Sequence, residues 1–103
     1  MSDQELADKI VAHGVGKVVG YDDRGQERVV LYRVDREVGT PPDKFVRDWR
    51  VAGAMMEKVD HVELSKLPNG EWEASVYEEG RGLVFNESAP RAIIESCCEA
   101  RNE

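Results

Sequence analysis

Two adjacent cysteines, Cys97 and Cys98, and the histidine His61 are the residues of this chain whose side chains could support catalysis. A thiolate is a strong nucleophile and an imidazole can act as its base, and such partners meet in space rather than in sequence. A small thiol-dependent enzyme using Cys97 or Cys98 with His61 is therefore one alternative. Both cysteines, however, fall in a segment of helical periodicity, where cysteine usually serves as a small buried hydrophobe. We expect reduced thiols and no catalysis.

Metal and phosphate chemistry find little support in the sequence. The only histidines are His13 and His61, and neither stands in an HxxxH or HExxH spacing. Adjacent thiols also suit a four-ligand zinc site poorly. The glycines at 14–16 and 80–82 lack the GxGxxG or GxxxxGK(S/T) arrangement that binds phosphates, so we expect them in turns. We expect neither a metal nor a cofactor.

The charge of the chain is concentrated in its second part. Residues 1–59 carry ten Lys and Arg against eleven Asp and Glu, whereas residues 60–103 carry four against ten. An acidic surface repels phosphate backbones, which disfavours direct nucleic-acid binding. It favours contact with a protein that bears a basic patch. The candidate residues for that contact are Glu71, Glu73, Glu78 and Glu79.

The first elements are predicted from caps and turns. Residues 2–12 form a helical pattern in which Ser2 and Glu5 have the capping-box spacing, and Gly14 is the expected stop. A hairpin follows, with strands at Lys17–Tyr21 and Val29–Val34 and a polar turn at residues 22–25. The second strand is apolar on both faces and is expected to be the more buried one. Residues 36–39 are expected to form a polar connection.

A long central helix is predicted over Thr40–Val59. Thr40 is the expected N-cap, with Pro41 at the first helical position and Asp43 in the first turn. Its expected buried stripe consists of Phe45, Trp49, Ala52, Met56 and Val59.

The next hairpin has a register that its apolar residues decide. A two-residue loop at Asn69-Gly70 would place the apolar residues of its two strands on opposite faces. A three-residue loop at residues 68–70 instead pairs Leu67 with Glu71, Val62 with Val76 and Leu64 with Ala74, which places them on one face. We predict the three-residue loop.

A short strand at residues 83–85 and a final helix beginning after Ser88 complete the chain. On that helix Ala89, Ile93, Cys97 and Ala100 share one face. The length predicts a single domain over residues 1–103. We expect an α+β fold in which three helices pack on a mixed or antiparallel sheet of about four to five strands, in the order α-β-β-α-β-β-β-α.

The segments ELADKIVAHGVGK, FVRDWRVAGAMMEKV and APRAIIESCCEA, with the glycine exit at residues 14–16 and the PRAI run at residues 90–93, resemble the small bacteriophage proteins grouped as the phage ABA sandwich domain. The resemblance implies an α/β/α-type sandwich and a phage or prophage origin, and it brings no active-site residues.

These observations together favour a phage or prophage accessory protein that acts by protein-protein contact with a host or phage protein. A self-associating homodimer is an alternative. The acidic amino terminus lacks a signal-peptide pattern and no stretch approaches the ~20 apolar residues of a membrane span, so we expect a location in the host cytoplasm and no membrane partner.

Overall fold

The computed structural model describes residues 1–32, 39–78 and 80–101. These residues form an α+β structure with four helices, a two-stranded sheet and a three-stranded sheet. The chain divides into two compact units, Met1–Val46 and Arg47–Glu103. The single domain expected from the chain length stays a prediction. None of the helices in the described ranges has the length and apolar character that crossing a bilayer requires.

The first unit begins with helix α1 (Asp3–Ala12), which starts and ends where its caps predict. The hydroxyl of Ser2 accepts a hydrogen bond from the backbone N–H of Glu5 at 3.1 Å. At the other end Gly14 has a φ of +79°. The backbone N–H groups of Gly14 and Val15 donate to carbonyls of the last turn at 3.0 and 3.2 Å, the pattern of a Schellman cap. The predicted helix and its glycine stop are confirmed.

Strands β1 (Gly16–Tyr21) and β2 (Glu27–Leu31) form the predicted antiparallel hairpin. Asp22 organises its turn, because its carboxylate accepts two backbone N–H hydrogen bonds at 2.8 and 2.9 Å. Val29 and Val30 point to opposite faces of β2 and both are buried. The prediction that the second strand is the more buried one is therefore confirmed, although its predicted end at residues 33–34 and the connection at 36–38 lie outside the described residues.

The predicted central helix over residues 40–59 is wrong, because the structure has two helices there, α2 (Pro42–Phe45) and α3 (Trp49–Met56). The chain breaks at Asp48, whose backbone is extended with φ −88° and ψ 124°. Its carboxylate accepts a hydrogen bond from the backbone N–H of Arg50 at 2.8 Å and forms a 2.9 Å ion pair with the Arg50 guanidinium. Asp48 is thus an N-cap that starts a second helix.

The predicted start of the helix is also displaced. Thr40 does not cap α2 but forms a β-bridge, exchanging backbone hydrogen bonds with Val29 at 2.9 and 3.0 Å. Pro41 takes the N-cap position and Pro42 the first helical position, where a missing N–H costs nothing.

The break changes which residues of this segment are buried. The buried residues of α3 are Val51, Ala52 and Met55. Trp49, which the continuous helix placed in the core, is 55% exposed because it begins a new helix. The expected stripe was therefore correct at Phe45 and Ala52 and wrong at Trp49.

The second unit contains a three-stranded antiparallel sheet in the order β3-β4-β5, formed by β3 (His61–Lys66), β4 (Trp72–Tyr77) and β5 (Arg81–Asn86). Val62 lies opposite Val76, as the three-residue loop predicts.

The loop itself has the predicted geometry. The N–H of Leu67 donates to the carbonyl of Glu71 at 2.8 Å, and Gly70 has a φ of +89°. A left-handed glycine at the third loop position is what a type I turn with a bulge requires. The predicted register is confirmed.

Helix α4 (Ala89–Arg101) packs on β4, β5 and α3 and is buried around most of its circumference. Two of its charged residues, Arg91 and Glu95, fit this position because they form an ion pair at 3.0 Å, with side chains only 10% and 14% exposed. The backbone N–H of Gly80, in the β4–β5 turn, donates to the carbonyl of Ala100 at 3.1 Å. This bond satisfies one of the last-turn carbonyls, which have no partner within a helix.

The expected fold is therefore correct as an α+β class with antiparallel pairing, and two details differ. The described residues form four helices rather than three because of the break at Asp48, and their five strands form two sheets rather than one. The α/β/α-type layering that the resemblance implies stays a prediction.

Candidate interaction surface

The three-stranded sheet has one face against α4 and presents its other face on the opposite side. Ala74 and Val76 of β4 and Val84 of β5 are buried and share the face that packs on α4. Because side chains alternate along a strand, the residues between them belong to the opposite face. We call this second face the distal face. It consists of His61, Glu63, Ser65, Glu73, Ser75, Tyr77, Arg81, Leu83 and Phe85.

One end of the distal face is a row of ring and cation contacts across the three strands. Tyr77 lies between His61 and Arg81 in the strand register. The rings of His61 and Tyr77 have centroids 5.5 Å apart, and the Arg81 guanidinium lies 5.3 Å from the centroid of the Tyr77 ring. A carboxylate oxygen of Glu63 lies 3.7 Å from Nε2 of His61. These contacts hold Tyr77 in place while it remains 37% exposed.

Beyond Arg81, the β5 edge of the distal face carries two apolar side chains. Leu83 is 39% exposed and Phe85 is 50% exposed. Phe85 lies opposite Glu73 in the register of β4 and β5, so a carboxylate and an aromatic ring stand side by side on this face. Large exposed apolar side chains that lie together on one face are characteristic of surfaces that bind another molecule.

Ser75 occupies the middle of the distal face, between Glu63 and Leu83 in the register. The residue is only 5% exposed, and its hydroxyl has no hydrogen-bond partner among the described residues. A buried hydroxyl without a partner costs about 1–3 kcal/mol. The centre of this face therefore carries an unsatisfied polar group.

A cavity of about 450 Å³ lies beside the β5 end of the sheet. Its lining residues are Arg47, Glu71, Phe85, Asn86, Glu87 and Ser88. Two of its polar residues are engaged in local structure, since Oδ1 of Asn86 accepts the backbone N–H of Ser88 at 2.9 Å, and the Ser88 hydroxyl accepts that of Arg91 at 3.4 Å. The cavity thus combines one exposed ring with carboxylates and the cap of α4.

The predicted contact glutamates do not form one cluster. Glu71 and Glu78 flank opposite ends of β4, a six-residue strand that spans about 20 Å. Glu71 bonds within the hairpin loop, accepting from the Asn69 side chain at 3.0 Å, and Glu78 accepts the backbone N–H of Asp60 at 3.0 Å. Of the four, Glu73 lies on the distal face. Glu79 lies outside the described residues.

The structure does not bring the thiols and His61 together. Cys97 and Cys98 are both fully buried in α4, whereas His61 lies on the distal face, across the sheet from that helix. Burial raises the pKa of the Cys97 thiol to about 12, and the neighbouring Cys98 adds to the shift. A thiol with so high a pKa is almost entirely protonated near neutral pH, so it is a poor nucleophile.

Within the described ranges, no three His, Cys, Asp or Glu residues gather as metal ligands would.

Sequence reasoning did not identify Tyr77, Arg81, Leu83 and Phe85 as surface residues. The signal was available in the segment from 81 to 86, where Gly82 and Val84 alternate with larger side chains. Because Gly82 was expected in a turn, the predicted strand was too short to show this alternation. The structure places Gly82 inside β5.

Comparison of the chain with family models, with curated proteins and with solved structures finds no match.

Proposed function

We propose that this chain is a phage or prophage accessory protein that acts without catalysis, by binding another protein through the distal face. The observation that supports this proposal most is the exposure of Tyr77, Leu83 and Phe85 on one face of a sheet whose other face is packed on α4. Aromatic side chains with a polar neighbour supply much of the binding energy at protein interfaces.

The charge of the distal face indicates the chemistry of the partner. Glu63 and Glu73 flank the apolar side chains, and the residues from 60 to 103 carry ten Asp and Glu against four Lys and Arg. A partner with Lys or Arg around an exposed apolar patch would be complementary both in charge and in hydrophobicity. The cytoplasm of a bacterial host is where we expect this contact.

The two alternatives receive different support. A thiol-dependent enzyme using Cys97 or Cys98 with His61 is disfavoured by the burial of both thiols and by the sheet between them and the histidine. Iodoacetamide labelling of the native protein at neutral pH tests the enzyme hypothesis. Rapid modification of either thiol would support that hypothesis again. Self-association is compatible with the outer position of β5 in the three-stranded sheet.

Capture from a lysate of the bacterium that carries the gene tests the proposed function. The immobilised protein should retain a specific protein, and raising the salt concentration should release part of it because exposed charge pairs are screened. Recovery of nothing beyond the background of an empty matrix would contradict the proposal.

A further inference from the structure

The two outer strands of the three-stranded sheet, β3 and β5, differ in their exposed side chains, and this difference affects which edge can pair with another strand. The exposed residues of β3 are polar, with His61, Glu63 and Lys66 among them. Charged residues on an edge strand discourage pairing with another strand. β5 instead exposes Leu83 and Phe85 together with one charged residue, Arg81, and the described part of the chain adds no further strand beside it.

The turn between β4 and β5 shows which backbone groups of β5 point toward β4 and which point toward the outer edge. In an antiparallel pair, hydrogen-bonded and non-hydrogen-bonded residue pairs alternate. The N–H of Glu78 donates to the carbonyl of Gly80 at 3.0 Å, which makes that pair a bonded one. Two residues further on, Val76 pairs with Gly82, and Ala74 pairs with Val84 after two more. The N–H and C=O groups of Leu83 and Phe85 therefore point away from β4, toward the outer edge.

We infer that a second copy of this chain pairs along that edge, with β5 antiparallel to β5 of the partner copy and Val84 on the two-fold axis. A two-fold dimer needs a surface that is complementary to itself. Centring the pair on Val84 sets Leu83 opposite Phe85 of the other copy, so each of these residues gains one apolar neighbour beside it while the distal face stays open. It also brings Arg81 near Glu87 of the other copy, a cation near a carboxylate, on both sides of the axis.

Other registers of the β5–β5 pair give fewer favourable side-chain contacts. A shift by one residue would pair side chains of opposite faces, because the side-chain period is two. Centring on Leu83 would leave Arg81 opposite Phe85 and would take Glu87 away from any cation in β5. The Val84 register joins the two three-stranded sheets into six strands and leaves the distal faces on one side. This inference goes beyond the proposed function, since the partner at the edge is the chain itself.

Charge reversal tests the dimer. Sedimentation equilibrium of the unmodified chain should show reversible association of two 11.6 kDa chains. Arg81→Glu and Glu87→Arg should each raise the dissociation constant by about tenfold, since each change alters two symmetric charge pairs. The double variant R81E/E87R should return to within about threefold of the unmodified value, because the pairs are restored with inverted sign. Circular dichroism of every variant checks that the fold is kept.

Two outcomes of sedimentation would overturn the inference. One is a monomer at every concentration up to about 1 mM, which corresponds to a negligible association. The other is a dimer that neither single reversal weakens, which would place the interface elsewhere.

Cysteine crosslinking tests the register. Under a mild oxidant Val84→Cys should give a covalent dimer, since directly opposed residues of a non-bonded pair have Cα atoms about 4.5 Å apart. Leu83→Cys should give little, because its own copy would lie diagonally, about 7–8 Å away. The unmodified chain is the control, as its two thiols are buried. Crosslinking of Leu83→Cys without Val84→Cys would overturn the Val84 register.

Discussion

Gly82 of β5 lies directly against the backbone of Ser96 of α4, so close that a Cβ atom at position 82 would overlap the Ser96 carbonyl oxygen and lie 2.8 Å from its carbonyl carbon. The hydroxyl of Ser96 in turn donates to the carbonyl of Ile93 at 3.0 Å, so it bonds within its own helix. The absence of a side chain at position 82 therefore allows the sheet to approach the backbone of α4 this closely.

Gly82→Ala should destabilise the second unit strongly. The obstructing atoms are backbone atoms of a buried helix, which cannot move aside as a flexible side chain could. Inserting a methyl group into such a contact costs about 2–3 kcal/mol. Urea denaturation followed by circular dichroism measures the loss.

Gly53→Ala is the matched control for this prediction. Gly53 lies inside α3, and a Cβ there would meet nothing within 4 Å. Alanine is the better helix former by about 0.5–1 kcal/mol, so this variant should be more stable than the unmodified chain. Equal effects of the two substitutions would show that close packing at Gly82 is not the cause.

Asp48→Ala should destabilise α3 by about 1 kcal/mol, because the N-cap hydrogen bond to the backbone of Arg50 is lost. Asp48→Asn keeps a side-chain oxygen that can accept this bond, and it should lose less. The free energies of unfolding of the two variants, measured in urea at pH 7, provide the comparison. Equal losses would indicate that the ion pair with Arg50, rather than the cap, carries the effect.

The buried thiol of Cys97 should make stability decrease in alkaline solution. Its pKa rises from 9.0 to about 12 in the folded state, because burial disfavours the thiolate. Below pH 9 both states keep the proton and stability is unaffected. Between pH 9 and about 12 the unfolded state loses the thiol proton first. The free energy of unfolding therefore falls by up to about 1.4 kcal/mol per pH unit.

Urea denaturation at several pH values between 8 and about 10.5 tests this prediction in the unmodified chain and in Cys97→Ala. The variant lacks this thiol and should show a shallower decline, although its stability at pH 8 is lower because a core side chain has been shortened. The same slope in both proteins would mean that other groups account for the alkaline loss.

Local chemical signals made several elements predictable from the sequence. The capping box at Ser2 and the left-handed position at Gly14 depend on a few neighbouring residues, and both bounds of α1 were correct. The hairpin after α3 was predictable in register because Gly70 and the alternation around Val62 and Val76 agree on one loop length. In each case the deciding interactions lie within a short segment.

The predictions from the sequence that were wrong or incomplete have a different physical origin. Apolar spacing continues from Phe45 to Trp49 across the break, so periodicity alone could not show that the carboxylate of Asp48 starts a new helix. The depth at which α4 is buried could not be predicted either, because Arg91 and Glu95 are charged residues that usually lie at the surface and here are buried as an ion pair. The distal face was missed because the role of Gly82 as a packing residue depends on Ser96, fourteen positions later.

Binding through the distal face is tested by comparing capture from host lysate by the unmodified chain, by Glu73→Lys/Tyr77→Ser and by Glu99→Lys. The first variant alters the distal face on the central strand, away from the β5 edge, and the last makes the same charge change at an exposed position of α4. We predict that the unmodified chain and Glu99→Lys retain the same specific protein and that the distal-face variant, folded by circular dichroism, retains about tenfold less of it. Equal retention by all three, or no specific protein with any of them, would contradict binding through the distal face.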